Sequence, residues 1–373
     1  MMTRSFRIAR IYGINIEIDY TWFIVFFLLA YLLSRSNGPL TRDLPHLAMG
    51  ARWLLAALTT LLFFASVLFH ELSHSIVALR NGLGITGITL FIFGGVSKMS
   101  EEPRSPGVEL KMAVAGPAAS FVLAVAFYLL ALVSPGQVLG TVCLWLAFVN
   151  AMLGAFNLLP GFPLDGGRVL RAALWSWLNS LGEATRIASA FGQGLGTLMI
   201  VLGVFLFAAD RGINGLWLAF IGWFLIQAAQ SSYQQVVVRQ LLAGVRVGDI
   251  MTGEVDGVPA EATLEEVIHE HVMTRSHPAY PVFDGDRLLG LISLQDIRHV
   301  PREQRYHVTA GEVVPPLSEA QTIAPEVGVW EALGKMVTGN QGRLLVLDNG
   351  HMVGIISRSD ILRVMRTRME LGA

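Results

Sequence analysis

Residues 53–74 read Trp-Leu-Leu-Ala-Ala-Leu-Thr-Thr-Leu-Leu-Phe-Phe-Ala-Ser-Val-Leu-Phe-His-Glu-Leu-Ser-His, an uncharged run that ends on the pattern His-Glu-x-x-His. A bilayer-spanning helix needs about 20 mostly apolar residues. On such a helix positions i and i+4 share a face, so His70 and His74 can meet one metal ion. Glu71 projects beside them, where it can take a proton from a metal-activated water. Ionisable groups in a span are costly and are usually retained for function. The alternative is a solvated pair of histidines at the membrane interface, holding no metal.

The surrounding composition fits a membrane reading. Hydrophobic residues make up 53% of the 373 and charged residues 15%, against about 25% charged in an average soluble protein. That balance excludes an ordinary cytosolic enzyme and a disordered chain. The net charge of −1 points away from nucleic acid. With one cysteine, Cys143, a metal must be held by histidine and carboxylate. The average hides a split, because residues 1–232 carry 24 charged side chains and residues 233–373 carry 31. The chain therefore reads as a membrane domain at 1–232, a polar linker at 233–244 and a soluble domain at 245–373.

Six apolar runs are candidate spans: Tyr20–Leu33, Trp53–Phe69, Met112–Val133, Val138–Phe156, Ile187–Ala209 and Ile213–Ala229. Six spans put both termini on one side. The inner segments would hold ten Lys and Arg, among them Arg4, Arg168 and Arg171, and the outer ones only Arg35, Arg42, Arg52 and Arg211. That asymmetry favours a multi-pass protein of the cell (inner) membrane with cytoplasmic N- and C-termini. Trp22, Trp53, Trp217 and Trp223 read as interfacial anchors. Two stretches do not read as helix. Ile14, Ile16 and Ile18 alternate with polar residues, which is strand periodicity. Ile85–Met99 is apolar, β-branched and broken by Gly94-Gly95, and reads as a β-hairpin dipping into the membrane. Such backbone is tolerated at that depth only inside protein or along a cavity.

A catalytic zinc takes three protein ligands and a water. Asp165 is the only carboxylate between Glu109 and Glu183. It lies in Asn157-Leu-Leu-Pro-Gly-Phe-Pro-Leu-Asp165-Gly-Gly-Arg168, where prolines and glycines break the helix. Asp165 is either the third ligand or the cap of a plain turn.

Taken together, His70–His74, the Gly94-Gly95 hairpin, Gly116-Pro117 and the motif from Asn157 to Arg168 resemble the site-2 protease family of intramembrane zinc metalloproteases. The resemblance implies His70, His74 and Asp165 as ligands of one Zn2+, Glu71 as general base and acid, and Asn157 as a contact to the scissile backbone. It implies a membrane-anchored protein as substrate, and in bacteria the release of a transcription regulator; the Ile85–Met99 hairpin with Gly94 and Gly95 either captures the unwound substrate as an added strand or only plugs the domain. Many relatives carry Asn three residues after the Gly-Pro. Here that residue is Ser120, which puts a polar substrate contact at this place in doubt.

Beyond residue 244, Leu289-Gly290-Leu-Ile-Ser293-Leu-Gln-Asp296 and Val353-Gly354-Ile-Ile-Ser357-Arg-Ser-Asp360 mark an internal repeat. Each repeat shows a helical stretch, two short strands about a turn (Asp284-Gly285, Asn349-Gly350) and a second helix. The repeats, about 245–302 and 308–370, resemble a pair of CBS domains, so the whole is similar to the CBS-bearing branch of the family. Ser293 with Asp296 and Ser357 with Asp360 can be helix-capping pairs. The resemblance also implies an adenosine nucleotide there, and a homo-oligomer formed through the pair.

The fold expected is a polytopic α-helical membrane domain of about six spans, with a small membrane-associated β-hairpin, plus a cytosolic α/β CBS pair. The function expected is regulated intramembrane proteolysis near the cytoplasmic face, modulated by the CBS pair. A CBS-gated transporter or channel and a catalytically inactive scaffold are the alternatives. A transporter predicts polar residues spread along several spans, whereas here they concentrate at two motifs.

Overall fold

The computed structural model describes residues 5–371 except 37, 43, 45, 93, 100, 101, 135, 210–213, 254 and 276–278. Arg4 and Arg211, counted in the charge comparison, lie outside the described residues. The chain divides into two compact units, Met1–Val236 and Val237–Ala373.

The first unit opens with strands β1 (Ser5–Ile11) and β2 (Ile14–Asp19), followed by helices α1 (Tyr20–Ser34) and α2 (Met49–Arg80). Strands β3 (Ile85–Phe91) and β4 (Gly94–Met99) come next. Helices α3 (Pro106–Val133), α4 (Gln137–Asn157), α5 (Asp165–Leu178) and α6 (Leu181–Ala208) follow, and α7 (Asn214–Leu242) belongs to the first unit as far as Val236 and to the second from Val237. Among the described residues, α2, α3, α4 and α6 are long and apolar enough to cross a membrane, and α1 is a shorter apolar helix. Residues 233–242, read from composition as linker, form the last turns of α7.

The hairpin of the sequence reading is half of a larger sheet. Its four strands run β1-β2-β3-β4, with β2 parallel to β3 and the other pairs antiparallel. The alternating Ile14, Ile16 and Ile18 are buried, with Ile14 and Ile16 packed on Ile88 of β3. Glu17 ties the sheet together by accepting from Lys98 Nζ at 2.7 Å, Ser5 Oγ at 2.9 Å and Thr89 Oγ1 at 3.2 Å. The Lys98 ammonium, helped by the two hydroxyls, holds the Glu17 carboxyl below its ordinary value despite partial burial. This arrangement leaves β4 as an edge strand, and β4 packs on α2.

Trp22 is not an interfacial anchor. It is 7% exposed, stacks on Phe26 and meets the tilted ring of Phe64. Trp53, Trp217 and Trp223 are exposed. Helices α6 and α7 meet at glycines, Gly196 against Gly222 and Gly203 against Gly215, where small residues let backbones approach.

In the second unit each repeat builds a three-stranded sheet. Val258–Pro259 runs parallel to Ala279–Asp284, which pairs antiparallel with Arg287–Ser293. Thr322–Ile323, Arg343–Asp348 and His351–Ser357 repeat that pattern. The turns use left-handed Gly285 and the pair Asn349-Gly350. Separate cores form around Val258, Val282 and Ile292 and around Val329, Leu344 and Ile356.

Candidate metal centre

Helix α2 carries His70 and His74, which are 3% and 6% exposed. Their Nε2 atoms are 3.2 Å apart. Asp165, the first residue of α5, places Oδ2 at 3.1 Å from each. The three atoms form a nearly equilateral triangle. A tetrahedral zinc with bonds of about 2.0–2.1 Å needs donors roughly 3.3 Å apart. These residues therefore fit zinc in donor type, number and spacing.

The outer ring nitrogens are also committed. His74 Nδ1 meets the Met112 carbonyl at 2.6 Å, and His70 Nδ1 meets Ser120 Oγ at 2.9 Å. Helix α3 supplies both partners and no ligand. It reaches the rings because residue 116 is glycine. A Cβ there would lie 2.1 Å from His74 Nε2 and 2.6 Å from His70 Nε2.

Glu71 faces β4. Ser97 donates to its Oε2 at 3.2 Å, and Ser75 and Ser97 hydroxyls meet at 3.1 Å. A Cβ at Gly95 would come within 2.5 Å of Glu71 Cγ, so β4 backs the carboxylate closely. His70, Glu71, His74, Gly94, Gly95, Asn157 and Asp165 all line one cavity of about 690 Å³. Asn157, at the end of α4, donates to the Leu153 carbonyl at 3.0 Å.

The helix that carries Asp165 is tied to α3. Arg171, two turns along α5, donates through Nε to Glu109 Oε1 of α3 at 2.7 Å and also through a terminal nitrogen. Glu109 is fully buried and Arg171 is 5% exposed, and the guanidinium lies over the Phe162 ring at 5.1 Å. Breaking a buried pair by removing one partner costs about 3–5 kcal/mol. Arg171→Ala should thus lower thermal stability of the purified protein and release zinc. The double variant Glu109→Gln with Arg171→Met removes that buried pair together and should recover part of the stability, Arg168, whose Nε lies 3.8 Å from Glu109 Oε1, losing its weaker contact. Unchanged unfolding of the single variant would remove this role.

Ser293, Asp296, Ser357 and Asp360 belong to the second unit and form two capping boxes. Ser293 Oγ and Ser357 Oγ each donate to the aspartate Oδ2 at 2.6 Å, and each aspartate N–H points back at the serine.

The sequence profile of Peptidase family M50 matches residues 58–144 and 136–202, and that of the CBS domain matches 247–303 and 310–367. Rip3 of Mycobacterium tuberculosis is 35% identical over 370 residues, covering 98% of this chain and 93% of its own. The zinc metalloprotease MJ0392 of Methanocaldococcus jannaschii is 31% identical over 365 residues, covering 98% and 97%. A solved structure, the site-2 protease from Methanocaldococcus jannaschii, aligns with 61% of this chain and 95% of its own at 31% identity and a TM-score of 0.46. The chain belongs to Peptidase family M50, the site-2 proteases, in the branch that carries CBS domains. It is a membrane zinc metalloprotease with a CBS pair.

Proposed function

We propose that this protein cuts a membrane-anchored protein within or beside its membrane segment, near the cytoplasmic face, with Glu71 as general base and acid. The observation that carries this reading is the His70–His74–Asp165 triangle sharing one cavity with Glu71 and the edge strand β4. Zinc held by the three donors supplies Lewis acidity and lowers the pKa of water toward neutrality. Glu71 takes the proton of the attacking water and delivers it to the leaving amine. The Asn157 amide, at the cavity wall, holds the substrate backbone by hydrogen bonding. A spanning helix hides its carbonyls in its own hydrogen bonds, so the substrate must unwind first. The outer edge of β4, unpaired among the described residues, can pair with the unwound segment as an added strand, which orders it next to Glu71.

The same reading places the chain as a multi-pass protein of the cell membrane with cytoplasmic termini, supported by the excess of Lys and Arg in the inner segments. The purified full chain should contain one zinc and cleave a quenched fluorescent peptide built on a single transmembrane segment. Wild-type protein that carries no zinc, or that carries zinc and leaves every such peptide intact, contradicts the proposal.

The CBS pair is proposed to bind an adenosine nucleotide at the helix starts of Ser293–Asp296 and Ser357–Asp360, to pair across two copies of the chain, and to modulate cleavage. A ligand changes activity only through different affinity for two states. AMP or ATP at about 100 times its Kd should stabilise the full chain by about 2.7 kcal/mol, and Asp296→Ala with Asp360→Ala should abolish that gain. No thermal shift with either nucleotide at millimolar concentration would leave the pair as a contact module.

A further inference from the structure

We propose that Ser120 is a positioning residue for zinc, fixing the tautomer and orientation of His70. The proposal rests on the reading that His70, His74 and Asp165 hold the metal. A histidine that binds through Nε2 must carry its proton on Nδ1. That Nδ1–H needs an acceptor when buried, because an unsatisfied buried donor is costly. His70 Nδ1 has Ser120 Oγ at 2.9 Å, and Ser120 is fully buried, so water cannot take its place. His74 solves the same problem with a backbone carbonyl, that of Met112. The two histidines therefore differ: one acceptor is built into the main chain of α3, and the other depends on a single side chain.

The same observation answers the doubt raised by the sequence at this place. The Ser120 hydroxyl is spent on a ligand, behind the His70 ring and away from the Nε2 side that faces Asp165. Serine is also the size that fits. Gly116, one turn earlier, brings α3 against both rings, so a short side chain suffices to reach Nδ1.

Ser120→Ala removes one oxygen and leaves the packing nearly unchanged. Loss of such an outer partner typically weakens metal binding 10–100-fold. Zinc affinity of the full-length purified protein is measured by competition with a chelator of known affinity, with no protease assay involved. Ser120→Ala should bind zinc 10–100-fold more weakly than wild type, and Ser120→Thr, which keeps a hydroxyl, should lose less than Ser120→Ala. The metal-free forms of all three should remain folded, with Ser120→Ala the least stable because a buried ring nitrogen of His70 loses its partner. Equal affinity of Ser120→Ala and wild type, or equal loss in Ser120→Ala and Ser120→Thr, overturns the role. Failure of wild type itself to bind zinc would instead remove the metal-site reading beneath it.

Discussion

Gly116→Ala should empty the metal centre while leaving the protein in the membrane. The added methyl would sit 2.1 Å from His74 Nε2 and 2.6 Å from His70 Nε2, well inside the contact distance of a non-bonded carbon and nitrogen. The rings cannot back away cheaply, because Ser120 and Met112 fix their outer nitrogens. Helix α3 cannot retreat cheaply either, because Glu109 binds it to Arg171 of α5. Something must give at the ligand atoms, and loss of a properly placed ligand exceeds the roughly 100-fold upper range for an outer partner. Bound zinc after dialysis measures this directly. Gly107→Ala in the same helix, where a Cβ meets only open space, is the control and should keep its zinc. Gly116→Ala with wild-type zinc content would mean that the triangle is not the metal site.

Glu71→Gln should do the opposite, keeping the metal and stopping the reaction. Glu71 is not among the three converging donors, so the amide leaves the triangle intact. Among the described residues it removes the only carboxylate of the cavity besides the ligand Asp165. General acid–base catalysis contributes about 10²–10⁴ to rate, and cleavage of a membrane-anchored peptide should fall by that order at unchanged zinc content. Cleavage within a few-fold of wild type would assign the proton transfer elsewhere.

Much of this centre is legible in one dimension. His70, Glu71 and His74 lie within one helical turn, where spacing fixes direction. Asp165 is conspicuous as a lone carboxylate in a helix break. What the sequence hides is set by contacts between distant segments. The parallel pairing of β2 with β3 joins Asn15 to Gly87, and no local pattern encodes it, so the hairpin reads as standing alone. Arg171 enters the sequence reading only as one of the inner-segment cations, because its pairing with Glu109 is made by the return of α5 over α3. Trp22 reads as an anchor from its place at a run's edge, but it turns inward onto Phe64. The role of Ser120 depends on how closely α3 approaches the rings, and that is set by Gly116. In the second unit Ser293 and Ser357 are legible as caps from their spacing to Asp296 and Asp360, because a capping box is local.

The most direct measurement compares the membrane proteomes of cells carrying wild type and Glu71→Gln. The account predicts a membrane-anchored protein that accumulates uncut only with the variant and co-purifies with it. Identical proteomes, with zinc bound in both forms, would contradict proteolysis and favour an inactive scaffold or a CBS-gated transporter.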